Sequence, residues 1–207
     1  MMNNDQLASF LADRCGKLTA SRMATAMSFR KDLKPTAERT QLMKDLLAER
    51  LTGFNVRHYV TDAMQHGLDS EDDAKAAYEA LTGEFILPTG TFDHPRIDML
   101  AATPDGLLSD RRLLEVKAPT TGKYLDWYLA GVVPDEHKIQ MACQCACTGR
   151  RHVVFVAYDG RIKDASRRLF VRDYFPTDEE IAAVETAAET FLAELDALFE
   201  RFTTAAA

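Results

Sequence analysis

Apolar residues recur at helical spacing in two early stretches, residues 5–14 and 38–52; the second sets Leu42, Leu46, Leu47 and Leu51 on one stripe and stops at Gly53. Between them, residues 28–35 read as a basic loop. Ser70-Glu71-Asp72-Asp73 has the form of an acidic capping box, which would open a helix with Ala74, Ala77, Tyr78 and Leu81 inward and Gly83 as its stop. The period then shortens to two, predicting strands at about 85–92, 97–103, 107–109 and 112–118. Helical spacing returns at about 123–130 and 135–148, and strands follow at 152–158 and 168–174. Thr177-Asp178-Glu179-Glu180 is a capping box for a C-terminal helix (about 177–203) whose stripe is Ile181, Val184, Phe191, Leu195, Leu198 and Phe202. With no internal repeat or low-complexity linker, these elements predict one α/β (α+β) domain over residues 1–207. Its central mixed sheet is flanked by helices, with the N-terminal helices (about 1–60) and the C-terminal helix packed on the core.

At 207 residues and 46% hydrophobic, the chain can bury one substantial core. No run reaches the roughly 18 to 20 apolar residues of a membrane span, and the polar Met1-Met2-Asn3-Asn4-Asp5 start is unlike a signal peptide, so a cytoplasmic protein is expected. Four cysteines, three of them crowded as Cys143, Cys145 and Cys147, make a poor disulfide framework and suit a reducing compartment. The net charge of −7 is strongly segmented: +4 over residues 1–60, −9 over 61–110, +5 over 111–175 and −7 over 176–207. An acidic stretch between two basic ones is what phosphate-directed binding with metal-dependent cleavage requires.

The chemistry concentrates in Thr103-Pro104-Asp105-Gly106 and Leu113-Leu114-Glu115-Val116-Lys117. In a strand, Glu115 and Lys117 point to one face and Leu114 and Val116 to the other. Turn residues at 104–106 and 109–112 let residues 105–117 fold back as a hairpin, bringing Asp105 beside Glu115. Hard cations such as Mg²⁺ take oxygen ligands, one or two carboxylates plus water and substrate phosphate. Asp105 and Glu115 supply these, and Lys117 adds a positive charge beside the water. This is the PD-(D/E)xK nuclease signature, and it points to phosphodiester hydrolysis. The competing reading of Glu115 and Lys117 is a solvated ion pair on an edge strand.

From about Arg14 to Tyr174 the chain resembles the phage lambda exonuclease family of viral recombination nucleases. The resemblance rests on Arg14-Cys15-Gly16-Lys17-Leu18-Thr19-Ala20-Ser21, the run from Gly67 to Ala74, the run from Thr103 to Asp110, Leu114-Glu115-Val116-Lys117-Ala118-Pro119, and Gln140 followed by Thr148-Gly149. It implies that Asp105, Glu115 and the Val116 carbonyl hold one Mg²⁺, with Mn²⁺ as a substitute, while Glu71 serves a second ion. Lys117 would orient or activate water, and Gln140 would contribute to the same site. Arg14, Thr19, Ser21 and Thr103 match positions that bind the 5′-terminal phosphate; Thr103 stands where serine is familiar. The implied activity is a 5′-to-3′ exonuclease on double-stranded DNA ends that releases 5′-mononucleotides and leaves 3′ tails for recombination. The implied setting is a homotrimeric ring, phage- or prophage-encoded in a bacterial host, working with a single-strand annealing recombinase.

Each of these residues also has a plainer role. Glu71 in a first helical turn would complement the helix dipole, worth about 0.3–1 kcal/mol. Ser21 would serve as an N-cap and Arg14 as a surface charge. Gln140 alone carries little, because the position matching a second family glutamine is Ala142. His137 either touches the site or is solvated, and Trp127 and Tyr128 belong to the core more readily than to a base-stacking surface. Cys15 with Cys143, Cys145 and Cys147 has the count of an iron–sulfur ligand set, but residues two apart on a helix point about 200° apart. The rival functions are another nuclease on this core, either an endonuclease or an iron–sulfur DNA-end processor, and a non-catalytic DNA-binding module.

Overall fold

The computed structural model describes residues 4–56, 62–109 and 111–204, with side chains from residue 9 in the first stretch and from residue 70 in the second. Residues 1–3 of the polar start, Asp110 of the second turn and the side chains of Gly67–Asp69 lie outside the described set. The elements run α1 (Asn4–Arg14), β1 (Leu18–Thr19), α2 (Ala20–Ala26), α3 (Ala37–Thr52), α4 (Asp62–Thr82), β2 (Phe92–Asp93), β3 (Leu100–Ala102), β4 (Gly106–Leu107), β5 (Leu113–Lys117), α5 (Thr121–Ala130), α6 (Asp135–Thr148), β6 (Val153–Tyr158), β7 (Leu169–Tyr174) and α7 (Asp178–Thr204). Among the described residues no helix is long and apolar enough to cross a membrane.

The strands form two sheets rather than one. A three-stranded sheet runs β1-β3-β2, and a four-stranded mixed sheet runs β4-β5-β6-β7, with only β5 and β6 parallel. The short β1 and α2, which open the segment between the first two predicted helices, carry too few residues for a periodic signal. Most of the predicted 85–92 strand is irregular, reduced to Phe92–Asp93 and a lone Leu87–Leu107 bridge.

The four-stranded sheet is buried on both faces. Leu113, Val153, Phe155 and Ala157 pack with residues of α2, α6 and α7, while Leu114, Val116, Val154 and Val156 pack with Ala74 and Tyr78 of α4. This double burial suits a parallel pair of strands, whose two sides are covered by helices. Glu115 therefore lies in the interior, on the α6 side, not on an exposed edge.

Two helix expectations change. α4 begins well before Ser70, so Ser70–Asp73 are interior residues and Glu71 is far from a first turn; the dipole account of Glu71 fails. Leu81 and Phe202, placed on inward stripes, are exposed, since each falls in the last turn of its helix beyond the packed core. The α7 capping box forms as expected, with Glu180 N–H donating to Thr177 Oγ1 and Thr177 N–H donating to Glu180.

Candidate active site

The hairpin that the sequence implies is present. β4 and β5 pair antiparallel with Gly106 opposite Leu114 and Leu107 opposite Leu113, which sets Asp105 opposite Glu115. Asp105 N–H donates to the Leu114 carbonyl at 3.0 Å, and Val116 N–H donates to Asp105 Oδ2 at 2.7 Å. Gly106 is required by close approach, because a Cβ there would stand 2.4 Å from Ile86 Cγ2. Asp105 also lines a cavity of about 290 Å³ with Asp72, Lys75 and Glu79 of α4.

Glu115 is fully buried and accepts from three donors. Lys117 Nζ and Gln140 Nε2 approach Oε1, the latter at 2.6 Å, and Gln144 Nε2 donates to Oε2 at 2.5 Å. Gln140 and Gln144 are one helical turn apart on α6, so both amides reach the motif strand from one face. Gln144 was not singled out from the sequence. Only its i+4 spacing from Gln140 hinted at it, and that spacing is common on any helix. With its amide nitrogen committed to Glu115, its carbonyl oxygen is buried without a partner.

Like charges crowd this site. Burial, then the neighbouring Glu115 and Glu71 carboxylates, push the Asp105 carboxyl up to about 8 against the opposing pull of Lys117. Burial on its own would lower the Lys117 ammonium, but Glu115, Asp105 and Glu71 outweigh it and hold the lysine above its ordinary value. Glu71 is partly exposed and ion-paired to Lys75 Nζ at 2.6 Å. His137 is packed against Phe155 and the edge of Trp127, and burial followed by Lys117 lowers it to about 4, so it is neutral near pH 7. Trp127 is a core residue, as is Tyr128 at its margin.

This crowding fits a divalent cation, which would relieve the repulsion that holds a proton on Asp105. Among the described residues no group of three or more His, Cys, Asp or Glu is placed to hold a metal ion, so Asp105, Glu115 and Glu71 do not make a ready three-carboxylate site. The fit is to an open site of the kind Mg²⁺ prefers, with water and phosphate oxygens completing the ligands.

The residues expected to bind phosphate fall into two hydrogen-bonded groups. Arg14 Nη1 donates to Thr103 Oγ1 at 2.8 Å, Thr91 and Thr103 hydroxyls are 3.1 Å apart, and Thr19 and Ser21 hydroxyls are 3.4 Å apart. Ser21 does not cap a helix; Thr19 occupies that position and its side chain makes no cap hydrogen bond. Arg14 is partly buried, and burial followed by the charge of Arg22 lowers its pKa, while Asp105 opposes the shift. Arg14 and Asp105 are thus close enough to feel one another. Cys143, Cys145 and Cys147 are buried within the unbroken α6, while Cys15 lies in the loop after α1.

Beyond the motif, Arg161 Nη2 donates to the Pro119 carbonyl at 2.8 Å and Arg161 Nε to the buried Asp159 at 2.6 Å, fastening the chain that leaves Lys117.

Fold and site together define a nuclease of the PD-(D/E)xK type. The model of the YqaJ-like viral recombinase domain matches residues 9–151, and the chain belongs to that family. The alkaline exonuclease LHK-Exo from Laribacter hongkongensis is 38% identical, with 96% of this chain and 97% of that chain covered and a TM-score of 0.87. LHK-Exo in complex with dAMP gives 0.88 at the same identity and coverage. A phage-related exonuclease from Haemophilus somnus 129PT, at 15% identity, 90% and 96% coverage and a TM-score of 0.63, shares the fold. Comparison with curated proteins gives no match.

Proposed function

We propose that this nuclease is a Mg²⁺-dependent 5′-to-3′ exonuclease that enters double-stranded DNA ends, releases 5′-mononucleotides and leaves a 3′ single-stranded tail. The observation that carries the reading is adjacency: Thr103, which accepts from Arg14, lies two residues from Asp105. A grip suited to a terminal phosphate next to a hydrolytic site favours cutting at an end over cutting within a duplex. The dAMP bound by LHK-Exo is a nucleoside monophosphate of the kind such a reaction yields.

Asp105, Glu115, the Val116 carbonyl and Glu71 would hold the divalent ions, two in number, with Mn²⁺ as a substitute for Mg²⁺. Bound there, the ions would activate water and stabilise the attacking and leaving oxygens of an in-line displacement. Lys117 orients the attacking water and balances the negative charge on the phosphoryl oxygens. Gln140 and Gln144 keep Glu115 aimed. Water attacks the phosphorus between the first and second nucleotides, the bond to the 3′ oxygen breaks, and that oxygen leaves with a proton. The new strand end carries a 5′-phosphate, the group that Arg14, Thr19, Ser21 and Thr103 would receive. The released 3′ tail feeds homologous recombination through a single-strand annealing protein in a phage- or prophage-bearing bacterial cytoplasm. Three subunits form a ring around the DNA.

The test is Mg²⁺-dependent digestion of a linear duplex with one 5′-phosphorylated and one 5′-hydroxyl end, the strands separately labelled, beside a closed circle. Mononucleotides released chiefly from the phosphorylated strand, with the circle intact, are expected. Cleavage of the circle would make the protein an endonuclease.

A further inference from the structure

We infer that Arg22, held by the buried carboxylate of Glu49, is a second guanidinium of the 5′-phosphate pocket and sets its preference for a terminal over an internal phosphate. The inference rests on the pocket proposed above and adds residues to it that the motif comparison does not supply.

Glu49, on α3, is fully buried, and its oxygens are distributed over the pocket's framework. Oε2 accepts from Gly16 N–H at 2.8 Å, and Oε1 accepts from Val56 N–H at 3.3 Å. Arg22 approaches the same oxygens, Nη2 to Oε1 at 3.3 Å and Nη1 to Oε2 at 3.5 Å. Glu49 therefore fastens the loop that follows Arg14 and, through its other contacts, orients Arg22. Arg50, the next residue on α3, donates from Nε to the Gly16 carbonyl at 3.1 Å, so the loop is tied at both its amide and its carbonyl.

Glu49 joins Arg22 to the amide of Gly16, two residues from Arg14, and the charge of Arg22 lowers the Arg14 pKa, second to burial. Bringing two guanidinium groups together is unfavourable unless an anion comes between them. Glu49 answers one charge, from the side of Arg22 toward α3. Arg22 remains about a quarter exposed, and its Nε–H makes no hydrogen bond among the described residues. The hydroxyls of Thr91 and Thr103 pair at Arg14, and those of Thr19 and Ser21 pair on the segment that leads into Arg22.

This arrangement matches the difference between the two kinds of phosphate. An internal phosphodiester carries one negative charge and two free oxygens. A terminal monophosphate carries about −1.5 to −2 charges at pH 7 and three acceptor oxygens. One planar arginine fork satisfies two oxygens, and a second reaches the third and answers the added charge. Thr91 supports the first arginine by sharing a hydrogen bond with the hydroxyl that Arg14 contacts.

The experiment is fluorescence anisotropy in EDTA, so that binding is read without cleavage. The probes are a hairpin duplex with one free end bearing a 5′-phosphate and the same duplex bearing a 5′-hydroxyl. Wild type is expected to prefer the phosphate. Arg22→Ala should weaken binding of the phosphorylated end about tenfold, the loss of one charge-assisted contact, and leave the hydroxyl end within about twofold. Arg22→Lys should recover part of the loss, since it restores charge without the fork. If wild type discriminates, Arg14→Ala does not, and Arg22→Ala keeps the wild-type ratio, the role of Arg22 is overturned while the pocket stands. If wild type shows no preference, both are overturned.

Discussion

Asp105 carries two opposite demands. Its carboxyl is raised to about 8 by burial and by Glu115 and Glu71, whereas holding a cation requires it ionised. Because the folded value lies above the ordinary one, its contribution to metal-free stability is complete at acid pH and is lost as pH rises through about 8. Thermal melts in EDTA should therefore show a stability loss between pH 6 and pH 9 that Asp105→Asn removes, and Mg²⁺ should raise the melting temperature more at pH 9 than at pH 6. The Mg²⁺ concentration needed for half-maximal turnover should fall over the same interval, because the cation must displace the proton on Asp105, and a requirement flat between pH 6 and pH 9 would contradict this assignment. His137 has the reverse sign. Its folded value of about 4 lies below the ordinary 6.5, so its contribution is present above 6.5 and is lost as pH falls through 4. His137→Phe should flatten that acid limb in melts from pH 7 to pH 4. Lys117→Ala should abolish turnover while its far-ultraviolet circular dichroism stays that of wild type.

The β4–β5 hairpin was legible because its determinants are local: Pro104-Asp105-Gly106 makes the turn, and strand alternation puts Glu115 and Lys117 on one face. What could not be read was the cover laid over that face. Gln144 reaches Glu115 from α6 across 29 residues and, apart from that face, Arg22 on α2 meets Glu49 on α3 across 27, separations at which no periodic pattern registers. The true start of α4 was hidden for another reason, since Ser70–Asp73 offers a local start signal inside a helix that has already begun at Asp62. These contacts have measurable consequences. Gln144→Ala removes a donor from a fully buried carboxylate, which should cost about 1–3 kcal/mol in urea unfolding and lower turnover together with Mg²⁺ affinity measured by calorimetry. Gly106→Ala drives a methyl into Ile86 and should cost about 1–3 kcal/mol. An unchanged urea midpoint in both would mean that the hairpin and α6 are packed more loosely than these contacts describe.

The segmented charge of the sequence takes on meaning once the pieces are folded together. Arg14 and Arg22 come from the basic N-terminal part, Asp105 from the acidic stretch, and Lys117 from the second basic part, so one site draws on three segments of alternating sign. The acidic C-terminal segment is instead taken up in α7, where Glu194 pairs with Arg39 and Asp196 with Arg50. A ring of three such chains, each of 23.2 kDa, should give a light-scattering mass of about three times that value. A monomer mass would remove the ring.

Thr103 and Asp105 are separated by a single residue, Pro104, whose ring fixes its φ. Two residues of chain span at most about 7 Å. If Thr103 receives the end of the strand and Asp105 serves the bond to be cut, the interval between grip and cut is set by covalent structure and not by a hinge. The enzyme then carries its own ruler. Each cut exposes a new end at the same offset from the next bond, and the length removed per cycle stays constant whatever the DNA sequence passing through.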